Sequence, residues 1–356
     1  MSKLSIIIPC FNEEKTIDQI IERVEAAYLP SNWQREIIIV DDFSSDETKD
    51  KINKYSQIHT IVLRTKNGGK GAALKSGLER ATGDFVLIQD ADLEYDPSDY
   101  QRMVGALDEK HQIVFGSRLR QKNERYSFVY FYGSKFLTNV FNLFFGSKFT
   151  DITTCYKLFP RQAISRLLQW KEDGFVFDAV YLTYELFKFG NVVEVPINYF
   201  PRSREEGKKV NWRHGLKALL AMIEVRSGKY WQFFKFSIVG GVALVVNVFF
   251  LYFFTSILGV YYLASSICAF FIAVVVNFTF QKFWTFGTKK GRIYMEAPSF
   301  LALQILINLF LNTLLLYVFV DYLHIWYATS QIIISLGLAV ITFFVNKKFI
   351  FRIAKV

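Results

Sequence analysis

Three cysteines in 356 residues, Cys10, Cys155 and Cys268, are too few and too scattered for a disulfide frame or a zinc site. They suit a reducing compartment. The net charge is +10, yet no RNA- or DNA-binding signature goes with it. This excludes nucleic acid as the expected partner and leaves an anionic membrane surface or phosphorylated substrates. No signal peptide is expected ahead of the opening strand, Leu4 to Pro9. The glycines of Asn67-Gly68-Gly69-Lys70-Gly71 lack the wider spacing and the Lys-Ser/Thr end of a Walker A loop.

What the chain has in excess is apolar surface. Hydrophobic residues make up 52% of it, and the surplus lies from Phe236 onward. Four runs, roughly 236–257, 261–283, 298–320 and 326–346, are long enough to span about 30 Å of hydrocarbon. Asn247, Leu251, Tyr252, Phe254, Tyr262, Ser265, Lys282 and Phe286 recur 65 residues later as Asn312, Leu316, Tyr317, Phe319, Tyr327, Ser330, Lys347 and Phe351. Two helical hairpins of the same orientation are expected. Lys289, Lys290 and Arg292 lie between the second and third runs, whereas 256–261 and 321–326 carry no Lys or Arg. The positive-inside rule then places both termini in the cytoplasm. Arg213, Lys217, Arg226, Lys229 and Lys235 precede the apolar half and suit lipid headgroups.

The first 210 or so residues alternate short β-branched runs with helical periods: strands near 4–8, 36–40, 60–63, 84–88 and 112–115, helices near 16–28 and 71–81. Such alternation predicts a mostly parallel sheet with helices on both faces. Ligands of these sheets lie beyond the carboxyl ends of the strands, where the loops 9–13, 41–42, 67–71 and 90–94 all fall. In an extended segment Asp90, Asp92 and Glu94 would point the same way. A rim of carboxylates holds a hard divalent cation that shares its other positions with water and phosphate. Lys70 and the glycine-loop N–H groups either face an anion or simply start a helix. Arg118 brings a planar fork of donors to the same edge. The stretch 126–146 is an aromatic-rich helix with a polar stripe of Ser134, Lys135, Thr138, Asn139 and Asn142, a pattern that lies in a membrane interface. A second interfacial helix is expected over 212–232.

These residues resemble the family 2 glycosyltransferases of GT-A fold, and within them the polyprenyl-phosphate sugar synthases of the dolichol-phosphate mannose synthase type. The resemblance rests on Pro9-Cys-Phe-Asn12-Glu13-Glu14, Asp41-Asp42, Asn67 to Gly71, Asp90-Ala91-Asp92, Gly116-Ser117-Arg118, Asp151 to Lys157 and Glu194 to Ile197. The apolar half, 233–356, resembles GtrA-type membrane domains of four transmembrane helices. The resemblance implies a nucleotide-sugar site of Pro9, Asn12, Glu13, Asp41, Asp42, Lys70, Asp90 and Ala91. Mg²⁺ or Mn²⁺ would sit on Asp92 and Glu94, with Asp90 as a further candidate ligand. An acceptor phosphate would meet Arg118, Ser134, Lys135, Arg202, Arg204 and Lys209, and Asp90, Asp92 and Arg118 would be catalytic. The implied organisation is a GT-A domain over 1–211, a juxtamembrane helix over 212–232 and a multi-pass cell-membrane domain, compatible with a homo-oligomer. The implied reaction is inverting transfer of a hexose from GDP-mannose, UDP-glucose or a similar donor to dolichyl or undecaprenyl phosphate in the bilayer, at its cytoplasmic face. The alternatives are a polysaccharide synthase, disfavoured by the lack of a Gln-x-x-Arg-Trp motif, and a lipid-linked sugar flippase with an accessory nucleotide domain.

Overall fold

The computed structural model describes residues 1–123, 127–202, 211–287 and 293–351. The chain divides into two compact units, Met1–Arg226 and Ser227–Val356.

The first unit is a seven-stranded sheet: β1 Ser2–Cys10, β2 Trp33–Asp41, β3 Thr60–Leu63, β4 Phe85–Ile88, β5 Ile113–Ser117, β6 Lys157–Pro160 and β7 Val192–Pro196. The strand order is β3-β2-β1-β4-β6-β5-β7. β1 pairs in parallel with both β2 and β4, so the order reverses beside β1. That reversal opens a crevice at the carboxyl ends of these strands. Leu4 to Ile8 and Ile37 to Val40 are buried throughout, as expected for central parallel strands covered on both faces. β6 runs antiparallel between β4 and β5. Its amino end therefore lies at the same edge as the carboxyl ends of its neighbours, and so does the carboxyl end of β7, parallel to β5. Loops from all seven strands thus reach one edge, those before β6 and after β7 in addition to the five expected there from sequence.

The helices of this unit are α1 Ile17–Ala26, α2 Thr48–Asn53, α3 Lys70–Leu78, α4 Tyr100–Gly105, α5 Phe128–Phe145, α6 Ile164–Leu167, α7 Thr183–Phe189 and α8 Trp212–Ser227. A π-helical turn, Phe177–Leu182, leads into α7. α5 ends at Gly146 in the left-handed conformation, φ +70°. Its polar stripe divides, with Lys135 and Asn139 exposed. Ser134, Thr138 and Asn142 turn inward, Thr138 accepting from the Ile152 N–H at 3.3 Å and Asn142 clamping the backbone of Phe149, while Phe128, Val129, Tyr132 and Leu143 are exposed. α8 buries Ala218, Ala221, Met222 and Val225 in the core and exposes Trp212, Leu216 and Leu220.

Strand alternation does not build the acidic rim, contrary to the expectation from sequence. β4 ends at Ile88, and the next residues form a turn rather than an extended segment, with Leu93 left-handed at φ +64°. Glu94 N–H donates to Asp92 Oδ1 at 3.1 Å, a side-chain-to-backbone turn typical of aspartate. The carboxylates meet because the chain folds back on itself.

The second unit is helical: α9 Trp231–Tyr252, α10 Tyr262–Phe280, α11 Ile293–Ile305, α12 Asn312–Tyr317 and α13 Tyr327–Val345, with π-helical turns between or after them. Among the described residues three helices are long and apolar enough to cross a membrane, Trp231–Ile257, Ile267–Thr285 and Ile333–Ile350. The run expected at 298–320 is helical but is not one of them. The 65-residue repeat reappears in the hydrogen bonds. Leu258 N–H donates to Phe253 O and Leu323 N–H to Val318 O, and Phe286 N–H to Gln281 O as Phe351 N–H to Asn346 O. Ser265 Oγ caps Val260 O as Ser330 Oγ caps Ile325 O. Phe286 and Phe351 stack with ring centroids 5.0 Å apart. Lys282, buried, pairs with Glu296, whereas its repeat mate Lys347 is exposed. Lys289, Lys290 and Arg292, on which the orientation expectation rests, lie outside the described residues.

Candidate active site

The loops after β1 and β2 are tied together before they meet any ligand. Asn12, left-handed at φ +53°, accepts from the Ser45 N–H at 2.9 Å, and Glu13 N–H donates to Thr48 Oγ1 at 2.8 Å. Asp41 accepts from Ser44. Asp42 is buried and accepts from Arg64 at 2.6 Å, from Gly68 N–H at 3.0 Å and from Gly69 N–H at 2.6 Å. The Gly68 and Gly69 N–H groups thus bind an anion of the chain itself rather than facing an external one. Gly69 has φ +87°, and a Cβ there would sit 3.1 Å from Asp173 O, so the loop requires glycine at this point.

Lys70, at the start of α3, turns into the domain. Its Nζ lies 2.7 Å from Asp90 Oδ1 and 2.8 Å from Asp178 Oδ2. Asp178 Oδ1 in turn takes the wholly buried Lys157 at 2.7 Å. Two cations alternate with two carboxylates, which is how charges are kept below the surface. Burial would raise the Asp178 acid, but Lys157 and Lys70 overcome it and hold the carboxyl below its usual range. Lys70 therefore orients Asp90.

At the rim, Asp92, Glu94 and Glu13 receive the strand-like segment that leaves β7. Tyr199 OH donates to Glu94 Oε2 at 2.9 Å and the Arg202 N–H to Glu94 Oε1 at 2.8 Å. The Arg202 guanidinium bridges Glu13 at 3.0 Å and Asp92 at 2.9 Å. Burial, then the carboxylates of Asp90 and Glu94, outweigh Arg202 and push the Asp92 acid up to about 7.

Arg118, just past β5, is gripped by Asp151. Nε donates to Asp151 Oδ2 at 2.7 Å and Nη2 to Oδ1 at 2.8 Å, the bidentate fork expected of such a pair. Nη2 also reaches Thr153 Oγ1, and the guanidinium lies 5.0 Å from the Tyr199 ring centre. Burial would raise the wholly buried Asp151; Arg118 overcomes it and holds the carboxyl below its usual range. Glu194 completes the support by accepting from the N–H groups of Thr150 at 2.9 Å and Asp151 at 3.1 Å.

One cavity of about 2030 Å³ joins these groups. Pro9, Glu13, Asp42, Lys70, Asp90, Ala91, Asp92, Glu94, Arg118, Ser134, Lys135 and Arg202 line it; Asn12 and Asp41 do not. Arg204 and Lys209 lie outside the described residues. The lining also includes apolar side chains, Val129, Phe131, Leu137, Phe175, Trp212, Leu216 and Leu219, from α5, α8 and the segment before the π-helical turn. Thr153 and Tyr199 also line it and are not expected from sequence, being fixed by contacts 35 and 105 residues away along the chain. Thr153 lies in the Asp151 to Lys157 stretch that carries the resemblance, but neither side chain is singled out by it. Asp151 and Asp178 have all four carboxylate oxygens engaged within the protein.

Residues 5–168 match the family model described as glycosyl transferase family 2, and residues 235–351 match that described as GtrA/DPMS, transmembrane domain. The chain is 29% identical over 311 residues to a dolichol-phosphate mannosyltransferase of Pyrococcus furiosus, covering 84% of this chain and 85% of that protein. It is 29% identical to an undecaprenyl-phosphate 4-deoxy-4-formamido-L-arabinose transferase of Proteus mirabilis, over 48% of this chain and 53% of the relative. To a dodecaprenyl-phosphate galacturonate synthase of Rhizobium johnstonii it is 35% identical, over 34% and 37%. The chain thus spans about half or less of the last two. Among solved structures, glucosyl-3-phosphoglycerate synthase from Mycobacterium tuberculosis, in complex with Mn²⁺, UDP and glucosyl-3-phosphoglycerate, superposes with a TM-score of 0.50 at 20% identity, covering 64% of this chain and 80% of that one. That likeness establishes the GT-A-like fold.

Proposed function

We propose that this family 2 glycosyltransferase, a membrane protein through its GtrA/DPMS-type transmembrane domain, transfers a hexose with inversion from a nucleotide sugar to a polyprenyl phosphate. The observation that carries this reading is the single cavity whose lining combines carboxylates and lysine with aromatic and aliphatic side chains. Its volume of about 2030 Å³ exceeds the roughly 300–1,000 Å³ of a site for one small molecule. A polar donor and an amphiphilic acceptor fill such a space together. The relatives named for dolichol-, undecaprenyl- and dodecaprenyl-phosphate products support the acceptor class.

The residues act by placement. In this reading Pro9, Glu13 and Asp42 shape the nucleotide end, and the Lys70-held Asp90 faces the ribose and pyrophosphate. Arg118, with Ser134 and Lys135 beside it in the cavity lining, meets the acceptor phosphate. A phosphate monoester has a second pKa of about 6 and is already a nucleophile at neutral pH, so no general base is required of the protein. Orientation and charge complementarity supply the acceleration.

A divalent cation fits the rim by its donor set. Asp92 and Glu94 offer hard oxygens, and Asp92 already accepts a cationic group. Among the described residues no three His, Cys, Asp or Glu side chains form a group that could hold a metal by themselves; an ion such as Mg²⁺ would share one or two carboxylates with substrate phosphates. When bound, Mg²⁺ or Mn²⁺ would neutralise the leaving nucleoside diphosphate. We further assign four membrane spans with both termini cytoplasmic, from the repeat and the positive-inside pattern, and a bilayer-surface role for the outward aromatic face of α5.

A photoreactive polyprenyl phosphate bound to the purified full-length protein should label α5 and α8 between 129 and 137 and between 212 and 219. Excess unlabelled polyprenyl phosphate should suppress the labelling, and neutral polyprenol should not. Labelling confined to the transmembrane helices contradicts the assignment.

A further inference from the structure

The acidic rim carries its own counter-ion. Arg202 donates from Nη1 to Glu13 Oε2 at 3.0 Å and from Nη2 to Asp92 Oδ2 at 2.9 Å. Its position is set by the backbone, because its N–H and the Tyr199 hydroxyl hold the two carboxylate oxygens of Glu94, and Phe200 N–H donates to Glu94 O at 2.9 Å. A bridge between Tyr95 and Tyr199 extends the clip. The segment from β7 therefore delivers a monovalent positive charge to Asp92, the carboxylate assigned above to a divalent cation.

A guanidinium and a dication on one carboxylate oxygen repel strongly in a partly buried site. The seat is also incomplete for the arginine, since its Nε is buried and has no hydrogen-bond partner among the described residues. A buried donor without an acceptor is unfavourable, and an anionic oxygen brought into the cavity would complete it.

We propose that Arg202 is a place-holder for the divalent cation: it neutralises the rim in the empty enzyme and leaves Asp92 when the cation enters with a nucleoside diphosphate, whose anionic oxygens then receive the guanidinium. This rests on the metal-dependent reading above. The cation alone must displace an ion pair and binds weakly; with the nucleotide the displaced arginine finds a new partner, so both bind more tightly. Such coupling is reciprocal.

The test is Mn²⁺ binding to the full-length protein, followed by the electron paramagnetic resonance of free Mn²⁺, with and without GDP or UDP. Arg202→Met should bind Mn²⁺ alone about ten- to a hundredfold more tightly than wild type, the worth of a charged hydrogen-bonded pair. Added nucleotide should then improve its Mn²⁺ affinity less than it does in wild type. Arg202→Lys keeps the charge and should remain near wild type, which separates loss of a competing cation from general loosening of the rim. Equal Mn²⁺ affinity of Arg202→Met and wild type overturns the proposal and leaves the metal reading standing. Absence of Mn²⁺ binding in every variant, with either nucleotide, overturns both.

Discussion

Each carboxylate in or behind the cavity lining has a distinct employment that residue type alone does not reveal. Asp42 holds the glycine loop, Asp178 holds Lys70, Asp151 holds Arg118, and Asp92 is left at the cavity with a raised acid. That raised acid has a consequence for pH. Below about pH 7 the Asp92 carboxyl increasingly takes a proton, which weakens its ion pair with Arg202 and competes with a cation. Mn²⁺ affinity should therefore fall by about tenfold per pH unit below 7 and level off above it. A flat profile between pH 5 and 8 in a direct Mn²⁺ titration contradicts Asp92 as the ligand. Arg118 carries a different expectation. Asp151 is wholly buried, so Arg118→Ala strands a carboxylate and should cost about 3–5 kcal/mol of stability, as well as weakening acceptor saturation. Thermal unfolding should show the loss, and Arg118→Met with Asp151→Asn should recover most of it without recovering activity. Recovery of activity in that double variant removes Arg118 from the acceptor site.

Among elements, β1 to β5 and the three long apolar helices are legible in sequence, whereas β6 and β7 are not expected from it. β1 and β2 read as β-branched runs, and the repeat at 65 residues returns in matched π-turn hydrogen bonds. The acidic segment after β4 is legible in its residue types but not in its geometry. Left-handed Leu93 has no signal in composition, and a turn stabilised by Asp92 itself brings the carboxylates together. The gathering of Arg118, Thr153, Lys157 and Tyr199 is equally invisible, because it depends on β6 entering antiparallel between β4 and β5. α5 is legible as an amphipathic helix, and the inward part of its polar stripe explains why its outer face is aromatic. Replacing Phe128 and Tyr132, both exposed and neither lining the cavity, by glutamate removes apolar surface worth about 3 kcal/mol from a lipid contact. Transfer to vesicle-embedded polyprenyl phosphate should drop at least about tenfold. Transfer to a short water-soluble isoprenyl phosphate should stay within about twofold, and equal losses on both acceptors assign α5 to the domain core instead.

At the scale of the whole molecule, a unit that matches the glycosyl transferase family 2 model and an apolar helical unit that matches the GtrA/DPMS transmembrane model share one chain, which suits the proposed reaction, whose two substrates prefer different solvents. The most direct measurement incubates the purified protein with Mn²⁺, a panel of labelled GDP- and UDP-sugars, and either polyprenyl phosphate or polyprenol. One donor should transfer label into the lipid phase with the phosphate acceptor only, giving a mild-acid-labile lipid monophosphate sugar and free nucleoside diphosphate in equal amounts. Label appearing on polyprenol, in a growing polysaccharide, or solely as free sugar contradicts it.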